Sequence, residues 1–167
     1  MNILYPNLYL PSVKEITEEV LNTNQIKGLI LDVDNTLVDL DRNLIEGAKL
    51  WCENLKNKGI SFCILSNTNK KDKVEKVSKE LGMPYLYFAK KPFKEGFIKA
   101  KEMLNLDNKN IAVVGDQIFT DIVGANRVGM FSILVEPIDE RDIWITKVKR
   151  PFEKLVINRY VKKGKNN

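Results

Sequence analysis

Seven side chains of this sequence share one chemical theme: Asp32, Asp34, Ser66, Asn67, Lys91, Asp116 and Asp121. Four are carboxylates, accompanied by one ammonium, one hydroxyl and one amide. Carboxylates gathered this densely repel one another, so a cation is needed, and an oxygen-only donor set without His or thiolate favours Mg²⁺. A divalent ion beside a lysine and neutral donors makes a place for a phosphoryl group. The chain has no His at all, which removes a Ser-His-Asp triad, a His-liganded metal and a phosphohistidine nucleophile. Two cysteines, Cys52 and Cys63, cannot build a four-thiolate zinc site. Neither is followed six positions on by the Arg that a thiol phosphatase needs (Lys58 and Asn69 stand there), and their apolar surroundings predict buried, reduced thiols. A carboxylate is then the nucleophile left, through an aspartyl-phosphate. Asp32 and Asp34 lie two apart, so one can attack phosphorus while the other handles the leaving-group proton. Taken alone, an Asp-x-Asp after an apolar strand also fits two solvated loop carboxylates.

What gathers these residues is a repeating alternation of strand and helix. Gly28 to Leu31 is an unbroken apolar run, as a central parallel strand covered on both faces requires, and it ends at Asp32-Val33-Asp34. Strand 60–65 ends at Ser66-Asn67, strand 85–89 at Lys90-Lys91-Pro92, strand 111–114 at Gly115-Asp116, and strand 131–135 at Pro137. Between them, helical spacing marks Ile45 to Leu55 (closed by Gly59), Val74 to Leu81 (stopped at Gly82), Phe93 to Leu104, and Thr120 to Val128. A first helix is predicted over 13–22, with Ser12 and Glu15 as a capping box. The pattern predicts an α/β fold, a Rossmann-like three-layer sandwich around a mostly parallel sheet. In such sheets ligands bind beyond the carboxyl ends of the strands, where all seven residues fall.

At this point the sequence resembles a known family. Asp32-Val33-Asp34-Asn35-Thr36-Leu37 is similar to the first motif of the haloacid dehalogenase (HAD) superfamily of phosphohydrolases, and Ser66-Asn67, Lys91-Pro92 and Gly115 to Asp121 follow in that superfamily's order. The resemblance covers about residues 25–137 and is closest to subfamily IIIA, the YqeG-like phosphatidylglycerophosphate phosphatases, with Gly124 to Gly129 and the run 133–137 extending it. It implies a HAD-like fold in which Asp32 is the nucleophile and Asp34 the acid/base. Mg²⁺ would be held by Asp32, the Asp34 carbonyl and Asp116. Ser66 and Asn67 would donate to phosphoryl oxygens, and Lys91, rather than Lys90, would grip phosphate. Asp121 is implied as an outer metal group or an anchor for Lys91. Thr36 stabilises the turn after the nucleophile, or is a plain turn residue.

The intervals between motifs are short, with 29 residues from Thr36 to Ser66 and 23 from Asn67 to Lys91. Each is used up by one helix and one strand, so the fold is expected to be capless, with a site open to large substrates such as a lipid head group at a bilayer. Charge divides the chain into a phosphatase domain, 1–140, and a basic C-terminal extension, 141–167. The extension has nine basic against two acidic side chains, leaving residues 1–140 at −2 of the net +5. Within it Trp144, Val148, Phe152, Leu155 and Val156 recur near helical spacing, with Pro151 restarting the helix. This suits peripheral contact with an anionic membrane, or plain packing on the domain. The uncharged stretch 1–13 is too short to span a bilayer and lacks a signal peptide's basic start, so a cytoplasmic location, peripheral at the inner face of the membrane, is expected.

Other readings differ in substrate or class. A superfamily phosphatase acting on a nucleic-acid 3′-phosphate or a sugar phosphate keeps the chemistry, although no nucleic-acid partner is expected. A receiver-like phosphoacceptor module shares the acidic cluster and a Lys-Pro, but places its Lys-Pro after all its acidic residues. Here Lys91-Pro92 precedes Asp116 and Asp121. A P-loop is excluded, because Gly124 to Gly129 is followed by Met130 rather than Lys.

Overall fold

The apolar run at 28–31 has no polar face because it has no solvent face. In the computed structural model of the chain, which describes residues 2–139 and 144–164 (with side chains of the last segment from Lys149 onward), Gly28–Leu31 is the strand β2 and every residue of it is buried. The preceding elements are β1 (Leu8–Leu10) and α1 (Glu18–Thr23). Then follow α2 (Ala48–Asn57), β3 (Ser61–Leu65), α3 (Lys71–Leu81), β4 (Tyr85–Leu86) and α4 (Lys94–Leu104). The chain continues through β5 (Ile111–Gly115), α5 (Val123–Val128), β6 (Phe131–Val135) and α6 (Trp144–Gly164).

The six strands form one sheet in the order β1-β6-β5-β2-β3-β4, and all five pairings are parallel. Alternate residues of β2 serve opposite layers. Leu29 and Leu31 pack with Trp51 and Cys52 of α2 and Val74 and Val77 of α3. Ile30 packs with Phe97 and Ala100 of α4 and Ala125 of α5. Both cysteines are buried and free, and burial pushes each thiol up to about 12, so neither is a nucleophile at neutral pH. From β2 the chain crosses to β3 on one side and later to β5 on the other. The cleft between the carboxyl ends of β2 and β5 is therefore the point where the winding reverses.

Several elements differ from the sequence reading. β1 was not expected: it is a three-residue edge strand whose Leu8, Tyr9 and Leu10 register with Ile133, Leu134 and Val135. The first helix is split into a 3₁₀ turn (Val13–Glu15) and α1, because the Ile16 carbonyl accepts from Trp51 Nε1 at 3.0 Å and Thr17 starts a new cap on Val20 N at 3.3 Å. Ser12 accepts from Lys14 N, so the capping box with Glu15 does not form as expected. The helix expected from Ile45 begins at Ala48, after Gly47 in a left-handed conformation. The strand expected over 85–89 stops at Leu86, since Phe88 and Lys90 have positive φ. The helix expected from Thr120 opens instead with a wide π-type turn over Ile118–Ile122. Pro151 lies inside α6 and does not divide it.

The C-terminal helix packs on the domain. Val156 and Ile157 join Ile118, Ile122 and Leu134, and Tyr160 meets Tyr5 edge-on at 5.8 Å between ring centroids. Phe152 and Leu155 remain exposed, whereas the side chains of Trp144 and Val148 lie outside the described residues. Among the described residues no helix is long and apolar enough to cross a membrane.

Candidate active site

Asp32 extends β2 by one hydrogen bond, its N–H donating to Val114 O at 2.9 Å, and its side chain enters the cleft as the strand ends. The chain then turns sharply: the N–H groups of Thr36, Leu37 and Val38 all reach Val33 O, and Asn35 takes a left-handed φ of +59°. This turn brings Thr36 back to Asp32. Its Oγ1 stands 3.4 Å from Asp32 Oδ2 and 3.5 Å from Asp116 Oδ1, so its single proton lies between two carboxylates. Thr36 is thus part of the polar cluster as well as of the turn.

Lys91 comes from the opposite side. Its Nζ donates to Asp32 Oδ1 and to Asp121 Oδ1, both at 2.7 Å, and all three residues are buried. Burial alone would lower the ammonium's pKa, but Asp121 and Asp32 outweigh it and hold it above its ordinary value. Asn67 fixes the lysine. Its Oδ1 accepts from Lys91 N at 2.6 Å, and its Nδ2 donates to Lys91 O at 3.0 Å. Asn67 thus clamps the Lys91 peptide with one Nδ2 proton, and the amide has a second for the expected phosphoryl contact. Ser66 is buried and its Oγ accepts from Thr68 N at 3.2 Å, which leaves its proton available. Lys90 is exposed, in agreement with Lys91 as the inward lysine.

Asp121 reaches the cluster from the wide turn after β5, where its Oδ2 also accepts from Gln117 N at 3.2 Å. Gly115 makes the approach feasible, for a β-carbon there would fall 2.2 Å from Asp121 Cγ. Asp34 sits apart, more exposed, and is ion-paired with Lys73 of α3.

Three participants escaped the sequence reading. Lys73 is one. The others are Arg150 and Glu153 of α6: Arg150 Nη2 meets Asp116 Oδ2, its Nη1 reaches Glu153 Oε2 at 3.2 Å, and Glu153 Oε1 accepts from Ile118 N at 2.9 Å. Nothing local in the sequence marks these three, although Glu153 is only 2% exposed in the fold.

The donor set fits a divalent cation. Carboxylate oxygens of Asp32, Asp116 and Asp121 all lie within 4.8 Å of one another, and all three residues are buried. Lys91 and Arg150 supply two positive charges against these three. Burial pushes the Asp32 carboxyl up to about 7, with Lys91 opposing and Asp121 and Asp34 adding, and it raises Asp116 well above the usual carboxylate range. Such a cluster is short of positive charge, and its all-oxygen chemistry matches Mg²⁺.

An acidic cluster of this build, at the switch point of a parallel sheet and opposite a clamped lysine, suits phosphoryl chemistry and matches what the resemblance to the HAD superfamily implies. The comparisons agree on the fold. A solved structure assigned to the HAD hydrolase family, from Streptomyces avermitilis, superposes with a TM-score of 0.54 at 18% identity, covering 66% of this chain and 71% of that one. The mitochondrial PGP phosphatase family model matches residues 1–138, and the chain belongs to that family. It is 37% identical to the "Probable phosphatase YqeG" of Bacillus subtilis over 95% of this chain and 92% of that protein. It is 26% identical to phosphatidylglycerophosphate phosphatase 1 of Arabidopsis thaliana, over 95% of this chain but about half (49%) of that longer protein. The protein is accordingly a phosphatase, a hydrolase of phosphoesters.

Proposed function

We propose that this protein removes the terminal phosphate of phosphatidylglycerophosphate, in a Mg²⁺-dependent reaction through an aspartyl-phosphate on Asp32. The observation that carries the chemistry is the placement of Asp32, with one carboxylate oxygen on Lys91 Nζ and the other beside Thr36 Oγ1, 3.4 Å away. The named substrate of the plant relative supports the lipid, as does a cleft with no inserted domain over it among the described residues.

Asp32 attacks phosphorus as the ester P–O bond breaks, and Asp34 gives a proton to the departing alcohol oxygen. Asp34 then takes a proton from a water molecule that attacks the same phosphorus, releasing inorganic phosphate and restoring the Asp32 carboxylate. Lys91 and the Ser66 hydroxyl hold the phosphoryl oxygens, Asn67 holds Lys91, and Asp121 keeps its ammonium in line. Mg²⁺, bound by Asp32, Asp116 and the Asp34 carbonyl, would offset the charge spreading over the phosphoryl oxygens. The division into a catalytic domain of residues 1–140 and an extension still describes the charge. Through Arg150 and Glu153, however, we assign the extension to the site itself. The proposed location is the cytoplasmic face of the membrane, held peripherally.

The test is phosphate release from phosphatidylglycerophosphate in mixed micelles, with Mg²⁺ or with EDTA and with Asp32→Asn as control. Release that needs Mg²⁺ and vanishes in the variant is expected. Cleavage of an aryl phosphate or a sugar phosphate without cleavage of the lipid would remove the lipid assignment and leave the phosphatase.

A further inference from the structure

The loop that carries Lys91 inward turns its neighbours outward. Beyond β4, Tyr87, Phe88 and Phe93 are 42%, 55% and 61% exposed. Aromatic rings are ordinarily buried, and several exposed together mark a contact surface. Their exposure is built into the backbone. Phe88 and Lys90 occupy the left-handed region, at φ +49° and +54°, which a β-carbon disfavours. Hydrogen bonds lock that course: Phe88 N–H donates to Thr68 O at 2.8 Å, Ala89 N–H to Ser66 O at 2.9 Å, and Phe93 N–H to Lys90 O at 3.0 Å. The path that aims Lys91 at Asp32 thus directs Phe88 and Phe93 into solvent.

The rings are interleaved with cations. Lys90 Nζ lies 5.1 Å from the Phe88 ring centroid, and Lys94 and Lys99 follow, exposed, with Glu95 the one acidic residue between them. A groove of about 530 Å³ runs along this surface, lined among others by Tyr87, Phe88, Lys90 and Phe93. Lys70 and Lys71, exposed at the start of α3, stand just past the Thr68 carbonyl that Phe88 N–H reaches.

We propose that the 87–94 loop is a docking surface for an anionic phospholipid bilayer, with its rings at the boundary of head groups and acyl chains and its lysines on anionic head groups. This rests on the lipid reading of the active site and adds the means of access. Aromatic and basic residues alternating on an outward tip complement an anionic, apolar-centred interface. Position adds to composition: Lys91, three residues from Phe88, holds Asp32 Oδ1 at 2.7 Å. The loop also follows the carboxyl end of β4, the same end of the parallel sheet at which Asp32 and Asp116 follow or close β2 and β5, so a bilayer touching Phe88 and Phe93 would lie on the side where the catalytic cleft opens.

The experiment is co-sedimentation of the full chain with vesicles of phosphatidylcholine plus phosphatidylglycerol, against vesicles of phosphatidylcholine alone. Binding that prefers the anionic vesicles and weakens with salt is expected. Phe88→Ser with Phe93→Ser should lower partitioning by at least about tenfold, and Lys94→Glu with Lys99→Glu should remove the anionic preference. Hydrolysis of a soluble aryl phosphate, expected within about twofold of the parent in both, reports that each variant is folded with an intact site. Undiminished binding of an active Phe88→Ser/Phe93→Ser variant would overturn the proposal. So would a parent chain that ignores vesicles, or loss of binding only in Phe152→Ser/Leu155→Ser on α6. If loop-dependent binding holds but phosphatidylglycerophosphate in micelles is not cleaved, the surface stands and the substrate assignment falls.

Discussion

Arg150 Nη2 stands 2.5 Å from Asp116 Oδ2, while its Nη1 donates to the Asp116 carbonyl oxygen at 2.9 Å. A guanidinium from the C-terminal helix thus grips both the side chain and the backbone of a carboxylate at the end of β5. Glu153, one turn on, accepts from Ile118 N at 2.9 Å and fastens the same helix to the turn that bears Asp121.

Arg150→Ala leaves Asp116 buried with its charge uncompensated on that side. Removing one partner of a buried pair costs about 3–5 kcal/mol. Urea unfolding of the metal-free protein should show that loss, and Asp116→Asn combined with Arg150→Ala should recover much of it. Strict additivity of the two changes would mean that the pair is not coupled.

Lys91→Met removes the ammonium shared by Asp32 and Asp121. We expect kcat to fall by at least about a thousandfold, the scale of losing a charged group that stabilises a phosphoryl transition state. Asn67→Ala keeps the ammonium but releases its backbone, so it should lower kcat by a smaller factor. Steady-state kinetics of both variants on an aryl phosphate test the ranking, and equal losses would refute the positioning role of Asn67.

Gly115→Ala introduces a β-carbon 2.2 Å from Asp121 Cγ. The carboxylate must move, which loosens Lys91 and strains the turn. A destabilisation of about 1–3 kcal/mol is expected from overpacking, together with a drop in activity disproportionate to the fall in Tm. Normal activity would show that Asp121 can shift without consequence.

Burial pushes Asp32 up to about 7 from 3.8 and also raises Asp116 and Glu153. A carboxyl whose pKa rises on folding holds its proton more tightly in the folded chain. Its contribution to stability is complete below about pH 4 and is lost as pH rises through 7. In EDTA, Tm should therefore fall between pH 5 and pH 8. At about 2–4 °C per kcal/mol for a domain of this size, the change should reach several degrees. Asp32→Asn should flatten the slope, and Mg²⁺ should restore Tm most strongly at the alkaline end. A parent profile as flat as that of Asp32→Asn would contradict this.

The residues at strand ends were legible because β2, β3 and β5 are short apolar runs ending abruptly in polar residues, a pattern set by local burial. Lys91 could be ranked over Lys90 only through the family resemblance, in which the lysine stands before the proline that is Pro92 here. The partners Lys73, Arg150 and Glu153 were not legible, since each meets its target only through packing of α3 or α6 against the sheet. The clamping role of Asn67 was equally hidden, because a hydrogen bond to a backbone 24 residues away leaves no local pattern. β1 was missed for a related reason: Leu8 to Leu10 is a strand only because Ile133 to Val135 lies beside it.

That last pairing also fixes an order of events during synthesis. Leu8 leaves the ribosome 125 residues before its partner Ile133. The nascent chain must carry β1 unpaired until β2 through β6 have been translated. The clamp on Asp116 comes later still, because Arg150 is added after the whole sheet has been made.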